Sequence, residues 1–368
     1  MLAECVVSLL GQTQPPFEVI VVDDGSTDGT AAVANMFPPP VRYFHKPNEG
    51  KATALNFALP HVRGDWIWFL DDDDVALPRS IELRLDALTS GPDAALVISR
   101  FLWGSSDSSG RVFAGEALQW PDFTAADFYP KFLRSCFAHL NGALIRRTRI
   151  AEVGGFRTDL LTSEDYDFTL RVARGERIAV CDAPSFIFRQ HRGTRGPQGR
   201  QYLASERTRK FADGDAEIGR WIRASHRLGE YLGVSPEQEL DARATRDALL
   251  ARLQVMAGKG LLAEVAEDAL ALSSALDSAG TALDMTTADA FKSAIQERYL
   301  AIRMTEAPAE TLRLFAPLRR SRAGRSMLRV MARAILGLAW WQQTKLAEKL
   351  RLAGLALRLK WLEPSGTP

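Results

Sequence analysis

The chain has 368 residues, 46% of them hydrophobic, which is enough for one large domain with a filled core and a second, smaller one. Forty-six Lys and Arg against forty-five Asp and Glu leave a net charge of +1, a balance that argues against a nucleic-acid or general polyanion binder. Cys5, Cys136 and Cys181 lie far apart without CxxC spacing, so there is no zinc signature and no disulfide framework, and a reducing compartment fits best.

The chain begins MLAECVVSLLGQT, which reads as helix and not as a charged-then-apolar leader. From Phe17 to about Gln190 short β-type runs then alternate with helical patterns: FEVIVVDD, VRYFHK, DWIWFLDD, AALVISRF, GALIRR and SFIFRQ. That alternation predicts an α/β domain on a mostly parallel sheet. Polar loops follow the first three runs: GSTDGT, KPNEGK and a block of four aspartates. In open α/β sheets ligands bind outside the carboxyl ends of strands, so these loops are the candidate site.

WIWFLDDDDVALP, Trp66 to Pro78, is the sharpest feature. Five large apolar residues predict a buried strand that delivers Asp71 to Asp74 at its carboxyl end. At an effective dielectric near 20, two carboxylates about 4 Å apart repel by roughly 4 kcal/mol, so a positive partner is expected there. A hard divalent cation takes oxygen ligands and typically uses one or two carboxylates together with substrate phosphates. The first strand delivers Asp23 and Asp24 in the same way, with Ser26 or Thr27 placed to cap the next helix. Farther on, Ser163 is placed to cap a helix whose first turn holds Glu164, Asp165 and Asp167.

Past His191 and Arg192 the Gly- and Arg-rich stretch HRGTRGPQGRQ reads as a loop, and nearly everything from Ala204 onward reads as helix. The expected division is residues 1–205 and 206–368. Between Arg319 and Glu363 there are eleven Lys or Arg and two acids, interleaved with Leu, Ile and Trp at helical spacing. Such a helix either lies on an anionic membrane face or packs as a cationic helix on its own domain. The longest apolar stretch, Ala334 to Trp341, is far short of the roughly 20 residues that span a bilayer.

VVDDGSTDGT, NEGKATALN, FLDDDD, GALIRRTRIAEVGGF, SEDYDFTLRVA and FRQHRG occur in the order and at about the spacing seen in family-2 glycosyltransferases, which the chain resembles from its start to about residue 200. The resemblance implies a GT-A fold, a nucleotide-diphosphate-sugar donor and Mg²⁺ or Mn²⁺. It implies that Asp24 accepts a hydrogen bond from the base, most often uracil, and that Lys51 lies along the nucleotide. In the D-x-D motif Asp71 would face the ribose and Asp73 would ligate the metal, with His191 near the metal or diphosphate and Arg192 on phosphate oxygens. Asp165 would be the general base for the acceptor hydroxyl, giving inversion. Asp72 and Asp74 receive no role.

The resulting expectation is a metal-dependent, inverting glycosyltransferase that adds one sugar to a lipid-linked or cell-surface polysaccharide acceptor, cytoplasmic and peripheral on the inner membrane face. Single addition is favoured because no QxxRW signature occurs. Two other readings remain: a non-catalytic membrane-surface binding protein on a shortened glycosyltransferase domain, and a nucleotidyltransferase, for which no Gly- and Lys-rich phosphate loop is visible. Similar enzymes open with a strand and a PxYN-like loop, and this chain shows neither. A break in the sheet beside the Asp24 strand is expected, along with a natural coding sequence that starts upstream.

Overall fold

A computed structural model describes residues 1–107, 110–190, 207–341 and 346–361. It divides into two compact units: residues 1–132 with 136–214, and residues 133–135 with 215–368.

The first unit begins with α1 (Leu2–Leu10), β1 (Val19–Asp24), α2 (Thr30–Ala34), β2 (Val41–Lys46), α3 (Lys51–Ala58), β3 (Trp66–Trp68), β4 (Val75–Ala76) and α4 (Ser80–Ala87). It continues with β5 (Leu96–Ser106), β6 (Val112–Ala117), α5 (Phe128–Arg134), β7 (Ala143–Arg146), α6 (Arg147–Val153), α7 (Glu164–Ala173) and β8 (Ile178–Arg189). This is an α/β domain, as the alternation of runs predicts, and of the GT-A type that the resemblance implies. The central strand is β5, flanked by β7 and β8 in the order β3-β7-β5-β8-β4, with β6 on its outer part. Both of its faces are covered, and Leu96, Val97 and Ile98 are at most 1% exposed, which is why the run reads as continuously apolar.

The pairing is more mixed than a mostly parallel sheet. Only β1–β2 and β5–β8 pair in parallel among the described residues, because short β7 runs antiparallel between β3 and β5, and β4 and β6 are antiparallel edges. β1 pairs with β2 alone, in a sheet separate from that of β3, so the described strands leave a break on that side of β1. The apolar run at 66–70 forms only a three-residue strand, with Ile67 and Phe69 buried and Trp66 and Trp68 partly covered.

The second unit comprises helices: the end of α8 (Arg207–Ser225), α9 (Ala242–Gly258), α10 (Leu262–Ser278), α11 (Met285–Ile295), α12 (Arg298–Glu306), α13 (Pro308–Phe315), α14 (Arg322–Trp341) and α15 (Leu346–Trp361). Asp268 on α10 is gripped by Arg223 and Arg252 at 2.8 and 2.6 Å, a buried ion pair satisfied from two other helices. α14 packs against α10, α11 and α15. Its Met327, Leu328, Met331, Ile335 and Leu338 are buried, while Arg322, Arg329 and Arg333 are exposed. Most of the described apolar face of the basic helix is therefore used within its own unit, with Leu336 exposed beside the arginines. No helix among the described residues is long and apolar enough to cross a membrane.

Candidate functional site

The polar loops at the ends of β1 and β3 and at the start of α7 carry the chemistry. Asp24, the last residue of β1, has both oxygens engaged. Oδ1 accepts from Lys46 Nζ at 2.7 Å and Glu49 N at 3.0 Å, and Oδ2 accepts from Gly50 N at 2.7 Å. It thereby fixes the loop that launches α3. Gly25 next to it has φ +80°, and a Cβ there would meet Asn48 N at 2.6 Å, so this tight turn needs glycine. Asp23 accepts from Tyr43 Oη at 2.7 Å and Ser26 N at 2.7 Å. Capping of α2 differs from expectation: Asp28, and neither Ser26 nor Thr27, accepts from Thr30 N at 2.9 Å. The turn takes one more pair of residues to reach the helix.

Lys51 is the first residue of α3, and its Nζ lies 2.6 Å from Asp71 Oδ1. This is the positive partner that the aspartate block requires. Burial disfavours the Lys51 charge, but Asp71, Glu164 and Asp165 together hold its pKa well above the ordinary lysine value. Burial likewise works against ionised Asp71, and Lys51 overrides it, keeping that carboxyl below its usual range. Asp72 is pushed up by burial and by Asp73 and Asp71.

Within the block, carboxylate oxygens of Asp71, Asp73 and Asp74 all lie within 4.8 Å of one another. Hard oxygen donors at that separation suit Mg²⁺ or Mn²⁺. Asp74 differs from its neighbours: it is fully buried, accepts from Arg189 N at 3.0 Å and Asn141 Nδ2 at 2.7 Å, and burial raises its pKa to about 7.

Glu164 and Asp165 open α7. Glu164 is pushed up to about 7 by burial and by neighbouring Asp165, against the pull of Lys51. Asp165 Oδ1 accepts from Tyr166 N at 2.8 Å. Ser163 stands at the N-cap with φ 64°, a left-handed conformation, and its side chain does not make the capping bond that the sequence suggests. Its backbone oxygen instead accepts from Asp167 N at 3.0 Å. The start of α7 is seated by Phe168, which stacks on Phe156 at 3.9 Å and meets Phe69 edge-on at 5.9 Å. Phe69 is two residues before Asp71, so aromatic packing sets the acid block against the acidic helix start.

The structure thus brings together Lys51, Asp71, Glu164 and Asp165, places Asp73 beside Asp71, and seats Asp24 in the loop ahead of Lys51. His191 and Arg192 lie outside the described residues. Sequence reasoning missed Asn141 and Arg189, and named Glu164 only as an acid in the first turn of a helix. Asn141 stands in an ordinary Asn-Gly turn, and nothing local marks its reach to the acid block.

Residues 1–154 match the model of glycosyl transferase family 2. Over that stretch the chain is similar to the family-2 glycosyltransferases. An uncharacterized glycosyltransferase of Rickettsia felis is 30% identical over 175 residues, 46% of this chain and 29% of that protein. Chondroitin synthase of Pasteurella multocida is 31% identical over 172 residues, 46% of this chain and 17% of the relative. The chain therefore spans less than a third of the length of these two curated relatives. Among solved structures, TarS 1–349 of S. aureus in complex with UDP-GlcNAc superposes with a TM-score of 0.54 at 16% identity, covering 91% of this chain and 88% of that one. That likeness concerns the fold alone.

Proposed function

We propose that the chain transfers one sugar from a nucleoside-diphosphate donor, with uridine as the nucleoside, to a hydroxyl of a glycan or lipid-linked acceptor, with inversion. The observation that carries this reading is the position of Lys51, which faces the acidic end of β3 and the acidic start of α7 at once. A donor and an acceptor site would meet there. The resemblance to chondroitin synthase and to a UDP-GlcNAc-bound fold supports a polysaccharide acceptor and a UDP donor. Retention of Asp71, Asp73, Lys51 and Asp165 in one constellation speaks against a decayed, non-catalytic domain.

In this reading Asp24 retains a lone pair for a base N–H beyond the three bonds it accepts. Asp71 faces the ribose, Lys51 compensates diphosphate charge, and Arg192 grips phosphate oxygens. Asp73 and His191 would hold Mg²⁺ or Mn²⁺, which would supply Lewis-acid stabilisation of the departing diphosphate. Asp165 takes the proton of the acceptor hydroxyl as its oxygen attacks the anomeric carbon and the bond to the diphosphate breaks from the opposite face. A lipid-linked acceptor would bring the protein to the inner membrane face, where the exposed arginines of α14 would meet anionic headgroups.

The test is a panel of nucleotide sugars scored for release of free nucleotide with and without Mn²⁺. Metal-dependent release from a UDP-sugar supports the reading, and no release from any donor, with or without a polysaccharide acceptor, counts against it.

A further inference from the structure

The fourth aspartate of the block has no role in the transfer outlined above, yet it is the most tightly held of the four. Asp74 is 0% exposed, and each of its oxygens accepts a hydrogen bond from a different part of the sheet: Oδ1 from the backbone N–H of Arg189 at the end of β8, Oδ2 from the side-chain amide of Asn141. A carboxylate so enclosed has no opening toward substrate. Its backbone N–H also closes a turn onto the carbonyl of Asp71 at 3.1 Å, so the block is a folded loop with Asp72 and Asp73 at its outside.

Asn141 is the other half of the arrangement. Its side-chain amide donates to Asp74 Oδ2 at 2.7 Å, and the Asp74 N–H closes onto Asp71, so the amide holds the last carboxylate of a loop whose ends are joined. Asn141 is 2% exposed and is anchored on both sides. Its carbonyl accepts from Trp68 Nε1 on β3 at 2.6 Å, and the next residue, Gly142, is pinned to β5 through Ser99 Oγ at 2.6 Å. A Cβ on Gly142 would stand 2.5 Å from Ser99 O, so only glycine lets this turn press against the sheet. The amide is therefore held by β3 and β5 and reaches the loop from a fixed point.

We propose that Asn141 and Asp74 are positioning residues for the cation site: the anchored amide and the Arg189 N–H hold Asp74, and Asp74 thereby fixes the loop that presents Asp73, with neither residue touching the ion. This rests on the metal-dependent transfer reading. Groups behind metal ligands typically change metal affinity by roughly 10- to 100-fold when removed, because the ligand must then be ordered as the ion binds.

The experiment measures Mn²⁺ affinity in the presence of saturating UDP, from the spin-resonance signal of free Mn²⁺, together with the melting temperature of the metal-free protein. Wild type, Asn141→Ala, Asn141→Ser and Asp74→Asn are compared. The proposal expects the Mn²⁺ dissociation constant to rise roughly 10- to 100-fold in the folded variants, by more than any change in metal-free stability accounts for. Unchanged Mn²⁺ affinity in a folded Asn141 variant overturns it. So does failure of every variant to fold, which would make the pair a purely structural element. If wild type itself takes up no Mn²⁺ in the presence of UDP, the metal-dependent reading fails, and this proposal falls with it.

Discussion

Lys51 Nζ and Asp71 Oδ1 are 2.6 Å apart, joining the first residue of α3 to the acidic end of β3. The lysine also feels Glu164 and Asp165, so one cation faces three carboxylates. Lys51→Met is expected to weaken UDP binding by about 10- to 100-fold, since a hydrogen bond to a charged group contributes about 1.5–3 kcal/mol. Calorimetric titration with UDP and Mn²⁺ checks this, and an unchanged affinity would free Lys51 of any donor role.

Asp165→Asn is expected to leave UDP affinity near wild type and to lower turnover by about 10²–10⁴-fold, the usual contribution of a positioned general base. Steady-state rates beside a binding titration separate the two effects. Loss of UDP binding in parallel with turnover would move Asp165 into the donor site.

Glu164 lies at about 7 in the folded chain against an ordinary 4.5, through burial and Asp165. Between those values the folded state holds a proton that the unfolded chain has released, so stability falls as pH rises through the window. The Glu164→Gln variant lacks this group. Its melting temperature should therefore drop less between about pH 5 and about pH 8 than that of wild type. Parallel pH profiles for the two proteins would show that Glu164 titrates normally.

Asn56 on α3 and Phe156 make a reciprocal pair: Asn56 Nδ2 donates to Phe156 O at 2.8 Å, and Phe156 N donates to Asn56 Oδ1 at 2.7 Å. Asn56→Ala leaves two backbone groups without these partners and should destabilise the chain by about 2 kcal/mol. Urea unfolding measures it. The seating of Phe156 on Phe168 also ties this loss to the placement of α7.

Arg322, Arg329 and Arg333 occupy the exposed face of α14. Removing the whole tail would strip packing from α10 and α11, so charge reversal is the cleaner probe of membrane contact. Changing the three to Glu should sharply reduce co-sedimentation with anionic liposomes, each basic residue near such a surface contributing about 1 kcal/mol. Equal sedimentation of variant and wild type would assign the contact to another surface or to none.

Much of the site is legible in the sequence because its residues sit where local patterns end. The β-branched run before Asp24 and the apolar run before Asp71 mark strand ends, and Glu164 and Asp165 begin a helix whose burial pattern shows in its spacing. Other features depend on contacts that leave no local mark. Two-residue β4 exists only by pairing with β8, and antiparallel β7 enters between β3 and β5 without a change in its apolar pattern. Asn141 acts across the fold on Asp74, and α14 has the same amphipathic pattern whether a membrane or its own unit covers the apolar face. Periodicity tells that a face is buried, not what buries it.

The central claim is that Asp71, Asp73 and Lys51 form the nucleotide-diphosphate end of a metal-dependent transferase. Calorimetric titration of wild type and Asp73→Ala with UDP, each with Mn²⁺ and with chelator, tests it most directly. The account predicts that wild type binds UDP in the presence of Mn²⁺, that chelator removes most of that affinity, and that Asp73→Ala no longer responds to the metal. Equal, metal-responsive binding by Asp73→Ala, or no UDP binding by wild type under either condition, would contradict it.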